Sequence, residues 1–327
     1  MNTRIAVLGA GGVAQRHVAV LSSLADVDVV AVVDPILAAA EQLARHCDAT
    51  PFQDVDQALD EVAADAVYVC VPPFAHGTVE RSVLERRLPM FVEKPVALDL
   101  KTAQEIDTLV TESGVVTATG YHWRCLEPVS RARDLLADNP PLLATGSWLD
   151  KRPPVSWWAS SHRSGGQVIE QLTHVLDLAR LLLGEAVEVT AAGVRRAPSQ
   201  GPQEPGRDDR GDIDDATVST VRFASGSLAS FVATSALRAK HRAALHTISH
   251  GMLLELSEGG MVVDDGVTRH EHRPVEDPKV VVDREFIEAV RGLRESTRTP
   301  YSEAVRSHAL GCAIATSART GQTLRLA

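Results

Sequence analysis

Through the first ~120 residues, short apolar runs alternate with segments whose apolar positions recur every three to four residues. "RIAVLG", "VDVVAVVD", "AVYVCV", "MFVEK" and "VVTATG" read as strands. The second is a nearly continuous β-branched run, suited to a strand covered on both faces. "VAQRHVAVLSSL", "ILAAAEQLARHC", "DVDQALDEV", "TVERSVLERR" and "LKTAQEIDTLVTESG" have helical spacing. This alternation predicts an α/β domain over residues 1–123, a doubly wound parallel sheet of the Rossmann type.

Beyond residue 123 the pattern changes. A helix near 127–138 precedes the strand-like "LLATGSWL", and a helix over 168–183 follows. Then come longer alternating runs: "VEVTAAGVRR", "ATVSTVRF", "GSLASFVATSA", "ALHTISH", "MLLELS" and "GGMVVDDGV". They predict a large, mostly antiparallel open sheet in an α+β domain over 124–327. Helices near 279–295 and 301–319 close the chain, and the C-terminal helix is expected to pack back on the first domain. The Pro/Gly/Asp-rich stretch 197–215 reads as a mobile loop. In such an architecture the substrate is expected in a cleft between the domains.

Composition narrows the partners. With 327 residues and a formal net charge of −10, the chain is poorly suited to nucleic acid or anionic membrane. No apolar run approaches the ~20 residues of a membrane span. Four scattered cysteines form no CxxC pair, so a zinc cluster or disulfide framework is not expected. The N-terminus does not read as a signal peptide, and a cytoplasmic location is expected.

The candidate chemistry begins at "GAGGVA", Gly9 to Ala14, which follows the first strand and opens the first helix. It matches G-x-G-x-x-G/A: Gly9 for the tight turn, Gly11 for approach to a pyrophosphate, Ala14 for close helix–strand packing. Gly12 and Val13, at the helix start, complete the expected phosphate contacts. Asp34 ends the second strand, where an acidic residue takes the adenosine ribose hydroxyls. The residues from Pro35 to Ala40 hold no Arg for a 2′-phosphate, so NAD is expected over NADP. "CVPPFAH" follows the strand "AVYVCV" and places Val71, Pro72 and His76 on the same sheet edge. His76 is read equally as a cofactor contact or as a cap of the next helix.

"FVEKPVALD" sets Glu93, Lys94 and Pro95 at the end of the next strand. Only five of the 33 basic residues are Lys, so a Lys at this edge suggests chemistry that Arg cannot perform. An ion pair with Glu93 is the plainer reading. The Lys94–Pro95 bond is a candidate for a cis peptide.

These segments, with "GYHWR" (Gly120 to Arg124), "SGGQVIEQLTHVLDLARLLLGE" and "SEAVRSHALGCAIATSARTGQTLRL", occur in order along nearly the whole chain. In that set the chain resembles the glucose–fructose oxidoreductase/inositol dehydrogenase/rhizopine-catabolism (Gfo/Idh/MocA) family. The resemblance implies an NAD(P)-dependent oxidoreductase acting on sugars, cyclitols or related polyols. It also implies a homodimer or homotetramer formed through the C-terminal sheet. Lys94 matches the catalytic Lys of E-K-P, and His174 matches the His of D-x-x-x-H. The usual Asp of that motif is Glu170 here. Regulatory homologues that bind NAD(P) without turnover, and redox-neutral NAD-dependent glycosidases or dehydratases, are the alternatives.

On a uniform helix, Val168, Leu172, Val175, Leu176, Ala179 and Leu183 form one apolar stripe. Glu170, His174 and Asp177 then cluster opposite it, as a solvated face, a metal site or a catalytic set. A metal is disfavoured: a zinc site needs a third protein ligand and an oriented outer shell, and hydride transfer between an alcohol and nicotinamide requires no metal when a base is present. The expected mechanism makes His174 the general base and Lys94 the electrostatic partner of the alkoxide. Glu170 orients the substrate or tunes His174, and Asp177 orients His174 or belongs to a local network. Tyr121, His122 and Arg124 are expected near the nicotinamide. Trp157, Trp158 and Arg163 are expected to close over cofactor or substrate.

Overall fold

The computed structural model describes residues 2–195 and 211–326, and the chain divides into two compact units. Residues 2–125 and 276–305 form the first, residues 126–275 and 306–326 the second. Most of the loop expected over 197–215 lies outside the described residues.

The first unit begins with β1 (Thr3–Leu8), α1 (Gly12–Leu21), β2 (Val27–Val33), α2 (Leu37–Ala44), β3 (Thr50–Phe52) and α3 (Val55–Glu61). It continues with β4 (Ala66–Val69), α4 (Thr78–Glu85), β5 (Met90–Val92), α5 (Leu100–Ser113) and β6 (Thr117–Thr119). The strands form one sheet in the order β3-β2-β1-β4-β5-β6, and every pairing is parallel. β4, β5 and β6 are buried along their whole length, because helices cover both faces. Asp54 and Asp99 start α3 and α5 by accepting the amides of Gln57 and Thr102 at 2.8 and 2.9 Å. The short strand β3 was not legible as a strand, since it is three residues with a central Pro.

The second unit opens with α6 (Glu127–Asp138), β7 (Leu143–Lys151) and a short α7 (Ser161–Ser164). A widened, π-helical turn over Val168–Leu172 then runs directly into α8 (Thr173–Leu183). β8 (Ala186–Val194), β9 (Ala216–Phe223), β10 (Leu228–Leu237), β11 (Arg242–Ser249), β12 (Met252–Ser257), β13 (Gly260–Asp264) and β14 (Arg269–His272) follow. With β15 (Leu324–Arg325) they form a nine-stranded sheet in the order β14-β13-β12-β11-β7-β10-β9-β8-β15. All its pairings are antiparallel except β7 with β10 at the centre. The sheet is therefore large, open and mostly antiparallel, as the alternating runs predicted.

Domain membership departs from the expected boundary at 123/124. The first unit extends through Cys125, and α9 (Pro278–Val290) also belongs to it. The reason is packing: α9 contributes Val282, Phe286 and Ile287 to the apolar cluster that includes Ile5, Val7, Tyr68 and Phe91. Phe286 meets the rings of Tyr68 and Phe91 edge-on. α10 (Tyr301–Thr320) begins in the first unit, where Tyr301 and Ala304 join the core containing Val92 and Val96. The rest of α10 belongs to the second unit.

Candidate functional site

The turn after β1 is built around a steric requirement. Gly9 has φ +100°, and a Cβ there would collide with the Cys70 carbonyl. Ala14 is fully buried against the sheet, whereas Val13 is exposed. Around Gly11 and Gly12, nothing lies within 4 Å of where a Cβ would stand. The ground above the N-terminus of α1 is thus open, with backbone amides at its floor, and a pyrophosphate fits it.

Asp34 lies just past β2 and holds this turn. One carboxylate oxygen accepts the Ala10 amide and the other the Ile36 amide, each at 2.9 Å. Each oxygen retains acceptor capacity for a ribose hydroxyl. The Pro35 carbonyl accepts the Gln53 side-chain amide at 3.1 Å, fixing the start of the α2 loop.

After β4, Val71 and Pro72 are half-buried. His76 is buried with its Nδ1 2.5 Å from Glu80, and Glu80 also accepts the Gly77 amide at 2.6 Å. Of the two readings of His76, the contact present is the one at the start of α4.

Lys94 follows β5 and precedes a cis peptide bond to Pro95. Glu93, beside Lys94, is buried. Its Oε1 accepts from Arg16 at 2.9 Å and from His17 Nε2 at 3.0 Å. Its Oε2 accepts the Lys94 amide at 3.0 Å. His17 Nδ1 lies 2.7 Å from Asp283 on α9. Burial alone would favour a neutral His17, but Asp283 and Glu93 flank the ring and raise it to about 9. Burial would likewise raise Glu93, but the His17 hydrogen bond and the Arg16 charge hold it well below the usual carboxylate range. No pattern in the sequence marked His17 or Asp283, which are 266 residues apart.

The segment after β6 turns inward. Tyr121 is buried within the first unit's core beside Val96 and Tyr301. His122 is buried with Nδ1 3.3 Å from the Gly120 carbonyl. Arg124 is buried and donates to Glu303 at 3.3 Å.

In the second unit, Glu170 occupies the π-helical turn and accepts the Trp158 indole N–H at 3.2 Å. Trp158 is fully buried, Trp157 is half-buried and Arg163 is exposed on α7. Widened turns of this kind recur at functional sites, because they re-aim side chains. The solvated-face reading of α8 does not hold, since every residue from Thr173 to Arg180 is buried. His174 stacks on Trp148, with ring centroids 5.7 Å apart and planes 24° apart. The Lys240 ammonium lies 4.6 Å from the centre of the same Trp148 ring. Asp177 accepts from Ser307 at 2.6 Å, and Ser307 accepts from Arg180 at 2.8 Å. Among the described residues, no group of three or more His, Cys, Asp or Glu could hold a metal ion. No helix of the described residues is long and apolar enough to cross a membrane.

Residues 3–121 match the family model "Oxidoreductase family, NAD-binding Rossmann fold", and residues 133–253 match "GFO/IDH/MocA C-terminal domain". The chain is 28% identical over 275 residues to scyllo-inositol 2-dehydrogenase (NAD(+)) of Bacillus subtilis, covering 82% of this chain and 75% of that protein. It is 25% identical over 245 residues to 2,7-anhydro-N-acetylneuraminate hydratase of Mediterraneibacter gnavus, covering 72% of this chain and 60% of that protein. In fold it is similar to a levoglucosan dehydrogenase in complex with NADH and levoglucosan, with TM-score 0.86, 18% identity and 99% of each chain covered. With its parallel dinucleotide sheet and its open second sheet, the chain belongs to the Gfo/Idh/MocA family of NAD-binding oxidoreductases.

Proposed function

We propose that the protein is an NAD-dependent dehydrogenase acting on a hydroxyl of a sugar, cyclitol or related polyol. One observation carries the reading: the Gly9–Ala14 turn, Asp34 and Lys94 all lie past the carboxyl ends of strands of one parallel sheet. Gly11, Gly12 and Val13 would meet the pyrophosphate, and Asp34 the ribose hydroxyls. Val71, Pro72, His122 and Arg124 remain proposed neighbours of the cofactor. The Asp34 carboxylate repels a 2′-phosphate, which favours NAD over NADP.

Bound NAD supplies the two-electron acceptor for the hydride of the carbinol carbon. His174 takes the hydroxyl proton as general base, its ring orientation held by Trp148. Lys94 stabilises the alkoxide as it forms. Glu170, anchored by Trp158, positions neighbouring substrate hydroxyls. The extra methylene of Glu over Asp is matched by this indole donor. Arg163, exposed on α7, is proposed as a further substrate contact.

The outer face of the nine-stranded sheet presents Leu143, Val218 and Leu228, all exposed, on adjacent strands. We propose that it pairs with another copy as a homodimer or homotetramer. A reducing, cytoplasmic compartment suits the four free cysteines.

The test is an NAD-reduction screen across inositols, aldoses, amino sugars and glycosides. NADH accumulation with one class supports the dehydrogenase; NAD binding without turnover on any of them overturns it. A redox-neutral reading is favoured by the hydratase relative. It would give product without net NADH.

A further inference from the structure

Three separate stretches of the first unit converge around Glu93 and His17. Arg16 and His17 come from α1, the helix that the dinucleotide turn opens. Asp283 comes from α9 and closes the far side of His17. The third is the Gly120 segment after β6: a Cβ on Gly120 would stand 2.6 Å from the Glu93 carboxyl carbon. A side chain at Gly120 would therefore displace this carboxylate. Neither His17 nor Asp283 has an exposed side chain, so no solvent substitutes for these contacts.

We propose that His17, clamped by Asp283, is a positioning residue for Lys94. It fixes one oxygen of Glu93, so that the other oxygen holds the Lys94 amide. Together with Arg16 it also compensates the carboxylate charge beside the lysine. An unpaired Glu93 would turn its carboxylate toward the Lys94 ammonium and tie it up as an ion pair instead of leaving it directed at the substrate. The arrangement links the cofactor-binding helix to the lysine within one unit. His17 acts through Glu93 and Lys94.

The inference deepens the role proposed for Lys94, yet its test needs no substrate and fails independently of turnover. The chain contains only five lysines, at 94, 101, 151, 240 and 279, so their reactivities can be separated. Competitive acetylation with acetic anhydride at pH 8, read by peptide mass spectrometry, measures each amine in the intact protein. In His17→Gln, Lys94 acetylation should fall about threefold or more, as an ion-paired amine is less available to the reagent. Lys101, Lys151, Lys240 and Lys279 should keep their wild-type rates. Arg16→Gln is the second variant. Its side chain is 32% exposed, so its loss should leave the fold intact while removing the other cation on Glu93. It should lower Lys94 acetylation in the same direction, and it decides the matter if His17→Gln does not fold. Lys94 acetylation within about 1.5-fold of wild type in the folded variants would overturn the inference. So would parallel changes at all five lysines, which would mean general loosening.

Discussion

Replacing His17 with Gln removes a buried proton whose energetic weight can be worked from its surroundings. His17 is enclosed by Asp283 and Glu93 and is raised from 6.5 to about 9. Because the folded value lies above the ordinary one, this stabilisation is complete below about pH 6.5. It is lost as the pH rises through about 9. A proton held over that interval corresponds to about 3 kcal/mol. The thiols of Cys70 and Cys125 are raised by burial and so also lose stability on the alkaline side. Subtracting the His17→Gln curve cancels them. Urea unfolding at pH 6.5, 7.5, 8.5 and 9, followed by circular dichroism, supplies both curves. Wild type should lose about 3 kcal/mol more than the variant across the range. The variant should already be weaker at pH 6.5, since two buried carboxylates lose their shared cation. Parallel slopes for the two proteins would refute the charged His17.

Asp34→Ser should raise kcat/KM with NADP relative to NAD by about tenfold or more, by removing a carboxylate that repels the 2′-phosphate; an unchanged ratio would remove Asp34 from the cofactor site. Ser307→Ala takes the hydroxyl from between Asp177 and Arg180 and should cost about 1–3 kcal/mol in unfolding experiments. Its kcat per folded molecule should stay at wild type, and a large kcat loss would return Asp177 to the catalytic set. Trp158→Phe deletes the donor to Glu170 and should raise KM more than it lowers kcat, read from steady-state NADH formation.

Much of the fold was legible because it depends on local periodicity. β1, β2, β4 and β5 are apolar, largely β-branched runs, and the nine-stranded sheet alternates with period two. The Gly9 turn was legible as well: its φ is +100°, and the Cys70 carbonyl stands where a Cβ would be. What stayed hidden depends on contacts distant in sequence. The return of α9 to the first unit rests on Phe286 meeting Tyr68 and Phe91. The π-helical turn at Val168–Leu172 also escaped, because a uniform 100° per residue was assumed through it. That assumption fixed the angle of Glu170 relative to His174; Asp177 shares the regular helix α8 with His174 and accepts from Ser307. Tyr121 lies in a motif beside the expected site, but its ring packs into the core.

The proposal that Lys94 and His174 both serve the oxidation of one hydroxyl is tested by turnover. Its most direct measurement is the rate of NADH formation on the polyol that the screen identifies, for wild type, Lys94→Ala and His174→Ala. Each variant should keep NAD binding, followed by quenching of tryptophan fluorescence. Each should lose about 10²–10⁴-fold in kcat. Near-normal turnover in both variants, with NAD binding intact, would contradict the account.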